Sequence, residues 1–236
     1  MTTLLLVRHG LTALTGSVLA GRTRGVSLDE RGRAQAAALA DRLRPVPLAA
    51  IVSSPLERCL ETAQAIAAGR EREGTPLAVE TDDRLLEVDY GTWTGGEIKR
   101  LAKEPLWRVV QAHPSAAAFP GGESLRAMSA RAVEAVRDAN ARFGPDATWL
   151  ACTHGDVIKA IVADALALHL DGFQRIVADP CSLTVIRYAE TRAFVTRTND
   201  VGGSLEDLVP KPARRGARRG GGTRRDDGEV GGGAGR

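Results

Sequence analysis

Short apolar runs alternate with longer amphipathic segments along the first 200 residues of the chain. The run at 3–7 is almost continuously apolar, which is typical of a strand buried on both faces of a sheet. Such strands, alternating with helices, predict a mostly parallel sheet with helices on both faces, a three-layer α/β/α fold. The predicted strands are 3–7, 49–53, 77–79 and 148–153, with a closing hairpin at 181–188 and 193–197, and the predicted helices are 28–44, 55–68, 96–113, 124–143 and 156–168.

Serine residues mark the expected starts of three helices. Ser27 and Ser54 each precede a glutamate by three residues, which is the pattern of a capping box, and Pro55 occupies the favoured first helical position. Ser124 stands before the long segment that ends at 143, and Gly69 is expected to end the second helix. We therefore interpret Ser54 and Ser124 as structural helix caps.

The charge of the chain is unevenly distributed. The 236 residues have a formal net charge of +3, but 210–236 contains eight basic and three acidic side chains, which leaves 24 basic and 26 acidic ones in the rest. This Gly/Arg-rich end has no aromatic residue and cannot bury enough apolar surface to fold. We expect one catalytic domain, 1–201, and a disordered tail, 202–236, that is a solvated extension; nucleic-acid binding by its arginines is the alternative.

Several classes of protein are excluded. Three cysteines, Cys59, Cys152 and Cys181, cannot form a disulfide framework and lack the C-x-x-C spacing of a metal site. The apolar runs are shorter than the ~20 residues that cross a bilayer, and no basic signal-peptide region precedes the first run. We expect a cytoplasmic protein that needs no metal or other cofactor and does not associate with a membrane.

Polar residues follow the predicted strands, where ligands bind in sheets of this type. Because parallel strands end at the same edge, two histidines, two arginines and a carboxylate from separate segments converge there. Planar guanidinium groups bind phosphate oxygens, a neutral imidazole can attack phosphorus, and a carboxylic acid can protonate the leaving oxygen and later activate water. The set that predicts phosphoryl chemistry is Arg8, His9, Arg58, Glu87 and His154.

Five sequence motifs carry a resemblance to a known family. Arg8-His-Gly-Leu-Thr12 resembles the R-H-G-x-T signature of the histidine phosphatase superfamily, the phosphoglycerate-mutase-like proteins. The other four are similar to that family's motifs in the same order, from residue 3 to about 200, and the resemblance implies its fold. They are Ser53-Ser-Pro-Leu-Glu-Arg58-Cys-Leu-Glu-Thr-Ala63, Glu87-Val-Asp-Tyr-Gly-Thr-Trp-Thr-Gly95, Pro120-Gly-Gly-Glu-Ser124 and Thr153-His-Gly155.

The resemblance implies a role for each matched residue. His9 is the expected nucleophile that becomes phosphohistidine, and Glu87 is the expected proton donor and then base. The phosphoryl oxygens are bound by side chains of both arginines, by His154 as a cation, and by the helix start at Gly155; Thr15 stands where many members have an asparagine ligand. The expected residues are thus His9, Glu87 and His154 for catalysis, and Arg8, Arg58, Thr15 and Gly155 for substrate binding.

Alternatives remain for the acid and for the reaction. Asp89 and Glu97 lie near Glu87 and either is a second candidate for the acid. The loop 12–26 lacks the aromatic residue of the mutase substrate loop, and the span from Glu87 to His154 is too short for a large insertion, so we favour a phosphomonoester hydrolase of the phosphatase-type branch. A phosphomutase is the first alternative, and a non-catalytic protein that binds phosphate or nucleic acid is the second.

Selectivity for the small phosphorylated metabolite is expected to lie in the loop 12–26 and in a cap at 92–122. The oligomeric state is open, although an edge strand in the hairpin 181–197 allows a homodimer. Outside the motifs, His113 and His169 are expected at the surface, and Cys59, within the second motif, is expected in the core. In the selectivity regions, Trp93, Trp107 and Phe119 are candidate apolar walls, and Arg22, Arg24, Lys99 and Arg100 are candidate partners for further anionic groups.

Overall fold

The computed structural model describes residues 1–72, 74 and 76–202, without the side chain of Arg72. This part of the chain contains six strands and six α-helices. The strands are β1 (Thr2–Arg8), β2 (Ala50–Ser53), β3 (Val79–Thr81), β4 (Thr148–Thr153), β5 (Leu183–Tyr188) and β6 (Ala193–Asp200). The helices are α1 (Glu30–Leu43), α2 (Glu57–Arg72), α3 (Ile98–Leu101), α4 (Pro105–Ala112), α5 (Leu125–Phe143) and α6 (Gly155–Ala165).

The strands form one sheet in the order β3-β2-β4-β1-β5-β6. The pairs β1–β4, β2–β4 and β2–β3 are parallel, whereas β5 runs antiparallel to both β1 and β6. This arrangement confirms the predicted mostly parallel sheet and places the closing hairpin at one edge.

Side chains of β1 alternate between two hydrophobic cores, one on each face of the sheet. Leu4 and Leu6 pack in the core that contains residues of α5 and α6, and Leu5 and Val7 pack in the core that contains residues of α1 and α2. All four are buried, as their apolar run predicted. The sheet with its two helical layers is the predicted three-layer α/β/α fold.

Two predicted helix ends in the first half of the chain are wrong. The cap of α1 is Asp29, whose carboxylate accepts from the Gly32 amide, and not Ser27. Helix α2 continues past Gly69 to Arg72, because the glycine lies against Ala40 of α1 and the charged residues after it prolong the helix. A glycine inside a helix is tolerated where two helices approach closely.

The predicted helix 96–113 is two helices, α3 and α4. Residues 102–104 separate them, and Pro105 occupies the first turn of α4, where its missing N–H is not needed. Residues 114–122, which follow α4 in the predicted cap, contain one short 3-10 turn, Pro114–Ala116. The cap predicted at Ser124 is confirmed, because its hydroxyl accepts from the Ala127 amide at 3.1 Å.

The predicted tail, 202–236, lies outside the described residues except for Gly202, so the domain boundary stays a prediction. Within the described part of the chain, no helix is long and apolar enough to cross a membrane.

Candidate active site

The two central strands bring the two motif histidines together. In the register of β1 and β4, Arg8 is opposite Thr153, so His9 and His154 each come one residue after a paired position. The His9 amide donates to the Thr153 carbonyl at 3.0 Å, which extends the pairing beyond the strand end. The two imidazole rings meet edge to face with centroids 5.2 Å apart.

His9 is held as a neutral imidazole with one nitrogen available. Its Nδ1 lies 2.8 Å from the Gly10 carbonyl oxygen. Since a carbonyl only accepts, Nδ1 carries the proton and Nε2 keeps its lone pair. Burial, with help from the charges of Arg58 and Arg8, lowers the pKa of His9 well below its ordinary value, and the hydrogen bond to Gly10 only partly opposes this. The neutral form is the one that can act as a nucleophile.

His154 is fully buried between Ser54 and Arg58. Its Nε2 is 2.8 Å from the Ser54 hydroxyl, and its Nδ1 is 3.4 Å from Nη2 of Arg58. Because a guanidinium group only donates, Nδ1 is the acceptor and Nε2–H donates to the serine. Cys59 is buried, as predicted, and its Sγ contacts the same ring at 3.4 Å.

The surroundings of His154 do not favour the expected positive charge. Burial lowers its pKa well below the ordinary value, and the nearby charges of Arg58, His9 and Arg8 lower it further. An imidazolium here needs a bound anion to offset the two guanidinium groups. The prediction that Ser54 is a helix cap is wrong, because α2 begins only at Glu57. The Ser54 hydroxyl is hydrogen-bonded to His154 at 2.8 Å, and its hydrogen bond from the Leu56 amide is long, at 3.5 Å.

Both predicted phosphate-binding arginines are buried and anchored by main-chain carbonyl groups. Arg8 donates to the Ala178 carbonyl at 2.8 Å, and Arg58 donates to the Gly21 carbonyl at 2.6 Å. The second contact connects α2 to the predicted selectivity loop. Two buried cationic groups beside one cleft create a site that favours an anion.

Glu87 lies in the cleft and is only 4% exposed. Burial, followed by the charge of Asp156, raises its pKa to about 8, against the opposing effects of the Val88 amide and the two arginines. A carboxyl group with this pKa is protonated at neutral pH and can act as an acid. The alternative acids do not line the cleft: the Asp89 side chain is 41% exposed near Arg22, and Glu97 is exposed.

A buried polar group that the sequence did not predict lies next to Glu87. The Tyr90 hydroxyl donates to Oδ2 of Asp156 at 2.8 Å, and Nζ of Lys159 lies 3.5 Å from Oδ1 of the same carboxylate. Lys159 also donates to Gln174. The position of Asp156, directly after the His-Gly pair, was the available signal, but nothing local connects it to Tyr90.

A second group of polar side chains that the sequence did not predict holds the main chain at Glu87. Arg22 and Arg131 both donate to the Glu87 carbonyl, at 3.0 and 3.1 Å. Both arginines also form ion pairs with Glu123, of 2.9 and 2.6 Å, and Glu123 accepts from the Asp89 amide. Arg22 is therefore part of this clamp, which corrects its prediction as a binder of substrate anions.

Thr15 and Gly155 differ in how they relate to the cleft. Thr15 lines it, but its hydroxyl is hydrogen-bonded to the Thr12 hydroxyl at 3.0 Å and accepts from the Thr12 amide. Gly155 is the buried first residue of α6, and neither it nor His154 is among the residues that line the cleft. Their substrate-binding roles stay predictions.

The aromatic residues predicted as apolar walls are packed in the core. Trp93 stacks on Trp107 with ring centroids 6.3 Å apart, and Phe119 meets Trp93 and Tyr90 edge to face. Of these four rings, the cleft is lined by Tyr90 alone. Arg24, Lys99 and Arg100 are exposed and do not line it either, and His113 and His169 are exposed, as predicted.

The fold and this combination of two neutral histidines, two buried arginines and a protonated carboxyl group are those of a phosphoryl-transferring enzyme. A model of the histidine phosphatase superfamily (branch 1) matches residues 4–201. Phosphoserine phosphatase 1 of Hydrogenobacter thermophilus is 32% identical over 205 residues, covering 84% of this chain and 92% of that protein. The probable phosphoglycerate mutase GpmB of Yersinia pestis is 30% identical over 191 residues, 79% of this chain and 85% of that protein.

A solved structure agrees with these sequence comparisons. Mycobacterial glucosyl-3-phosphoglycerate phosphatase, in complex with VO3, matches with a TM-score of 0.74 and 30% identity over 84% of this chain and 98% of that one. The chain belongs to the histidine phosphatase superfamily. The predicted family, fold and enzyme class are confirmed, and the names of relatives agree with phosphomonoester hydrolysis, while a phosphomutase also fits the family.

Proposed function

We propose that the protein hydrolyses a phosphomonoester through a phosphohistidine at Nε2 of His9. The observation that carries this proposal is the hydrogen bond from Nδ1 of His9 to the Gly10 carbonyl, which directs the lone pair of the other ring nitrogen away from the main chain. The cleft beside it is lined by Arg8, Arg58 and Glu87. A neutral nucleophile, two cations and an acid are the groups that phosphoryl transfer requires.

The reaction has two steps. Nε2 of His9 attacks phosphorus, the ester P–O bond breaks, and Glu87 gives its proton to the leaving oxygen. Glu87 then accepts a proton from water, whose oxygen attacks phosphorus, and the P–N bond breaks to release phosphate and restore the imidazole. Arg8 and Arg58 neutralise the phosphoryl oxygens in both steps, and the negative charge they hold favours proton uptake by His154.

The test is to trap the intermediate during turnover of a ³²P-labelled phosphomonoester by the full chain. We expect a label on the protein that is stable to alkali and labile to acid, since this is the behaviour of a phosphohistidine. His9→Ala should lose both the label and turnover, while His113→Gln, a change at an exposed histidine, should keep both. A label that persists in His9→Ala would contradict the proposal.

Phosphomutase activity is the second candidate because a relative named as a probable phosphoglycerate mutase covers most of the chain. It differs only in the acceptor, since the phosphoryl group on His9 returns to an organic hydroxyl instead of water. Free phosphate released in proportion to substrate consumed supports the hydrolase, and isomerised substrate without free phosphate supports the mutase. The names of relatives make phosphoserine and glucosyl-3-phosphoglycerate the first substrates to assay.

A further inference from the structure

The cleft has two chemically different groups of lining residues. Its charged lining residues, Arg8, Arg58 and Glu87, accompany His9. The rest of the lining, which we call the uncharged wall, comes from the loop 12–21, Tyr90 and Ile98, and its aliphatic side chains are Leu14, Val18, Leu19, Ala20 and Ile98. Among the described residues that line the cleft, every charged side chain is therefore one that the reaction already uses.

The hydroxyl groups of the uncharged wall are already hydrogen-bonded within the protein. The Thr12 and Thr15 hydroxyls are 3.0 Å apart, and the Tyr90 hydroxyl donates to Asp156 at 2.8 Å. A substrate that engaged them has to compete with these bonds. They offer no ionic partner to a charged substrate group, because all three are neutral phenol or alcohol groups.

The nearest basic side chains do not supply that partner. Arg22, in the loop 12–26, donates to the Glu87 carbonyl and forms ion pairs with the carboxylates of Glu123 and Asp89, at 2.9 and 3.8 Å. Arg24 is exposed and does not line the cleft. Among the described residues, no further cation is therefore placed to pair with a carboxylate against the uncharged wall, and an unpaired buried charge is strongly unfavourable.

We propose that the organic part of the substrate is neutral and largely apolar, an alcohol or phenol that packs on Leu14, Val18 and Ile98. This inference rests on the proposed function and specifies the substrate class for that same site. It separates the chain from relatives named for phosphoserine and glucosyl-3-phosphoglycerate, since both compounds carry a carboxylate beside the phosphate.

Two aryl phosphates of the same shape test the proposal on the unmodified full chain. The substituent of 4-isopropylphenyl phosphate is neutral, whereas that of 4-carboxyphenyl phosphate is an anion of similar size. We expect kcat/KM to be at least about tenfold higher for the isopropyl compound, although its phenol is the poorer leaving group. Phosphoserine should resemble the carboxyphenyl ester.

A single substitution provides the second arm. Leu14→Lys places a cation at the uncharged wall and should shift the ratio of kcat/KM values toward the carboxyphenyl ester by about tenfold, while the neutral control Leu14→Gln should not. Equal or faster hydrolysis of the carboxyphenyl ester by the unmodified chain overturns this inference and leaves the proposed function standing. If neither ester is hydrolysed and no phosphoenzyme forms, the proposed function itself fails.

Discussion

The hydroxyl of Tyr90 donates a hydrogen bond of 2.8 Å to Oδ2 of Asp156, and both side chains are fully buried. Tyr90 lines the cleft with Glu87, and the Asp156 carboxylate is the second cause, after burial, of the raised pKa of Glu87. A residue outside the cleft therefore helps to keep the proposed acid protonated.

Asp156→Asn should move the basic limb of the pH profile to lower pH. The amide keeps an acceptor for Tyr90 but removes the negative charge, so the pKa of Glu87 falls from about 8 and its proton is lost earlier as pH rises. We expect kcat/KM of the parent enzyme to decline above about pH 8 and that of the variant to decline at lower pH.

The control for this prediction is Asp164→Asn, the same change on the same helix. Its side chain is 39% exposed and pairs with Arg137 at the surface. The control should keep the parent profile, and a limb that moves equally in both variants would show that Asp156 has no specific effect.

Glu87→Gln should increase stability while it removes activity. The folded protein holds the pKa of this carboxyl above its unfolded value, so the parent loses stability as pH rises from about 4.5 to about 8, and the neutral amide does not. We expect the variant to be more stable than the parent by a few kcal/mol at pH 8 and by little at pH 4. Urea unfolding at both values measures this, and a gap that does not widen with pH would disprove it.

Ser54→Ala should alter the state of a histidine one hundred positions away in the sequence. The change removes the acceptor for Nε2–H of His154, which costs about 1 kcal/mol of stability, while Arg58 still donates to Nδ1 and keeps the tautomer. ¹H–¹⁵N NMR of the imidazole should then show an upfield shift of the Nε2–H proton, because it has lost its hydrogen bond. Ser124→Ala, which removes the cap of α5, should cost a similar amount of stability without changing the His154 signals.

Ser54 and Ser124 show that the sequence predicts local contacts but not contacts between distant residues. Each precedes a helix and has the local pattern of a cap, but only Ser124 is one, because Ser54 has a partner on β4's end that no local pattern reveals. The arginines and histidines were predictable, since they follow strands whose order brings their ends together. The pairing of Tyr90 with Asp156 was not, because residues 66 positions apart meet only through the tertiary fold.

Glu123→Gln should weaken the support of the loop that carries the acid. The amide cannot form the ion pairs with Arg22 and Arg131, which hold the Glu87 carbonyl. Burial alone raises the pKa of Glu123, but its bonds to Arg131 and the Asp89 amide outweigh this and hold the pKa below the ordinary value. The stability from these pairs is therefore present at neutral pH and lost as pH falls through the lowered pKa.

We expect Glu123→Gln to reduce kcat about tenfold at pH 7 and to lower the free energy of unfolding by roughly 1–3 kcal/mol. Denaturation at pH 7 and below pH 4 should show the gap to the parent closing in acid. Glu134→Gln, at an exposed position of α5, should match the parent throughout. A kcat equal to the parent value in Glu123→Gln would show that Glu87 needs no such support.

The register of β1 against β4 has a further consequence for the heat inactivation of the enzyme. His9 and His154 directly follow β1 and β4, which are hydrogen-bonded to each other in the middle of the sheet. The His9 amide itself donates to β4, at the Thr153 carbonyl. The two histidines cannot be pulled apart by a loop that opens, only by strands that separate. Heat inactivation should accordingly coincide with melting of the whole domain, and the His9 amide should exchange with solvent as slowly as the most protected amides of the sheet.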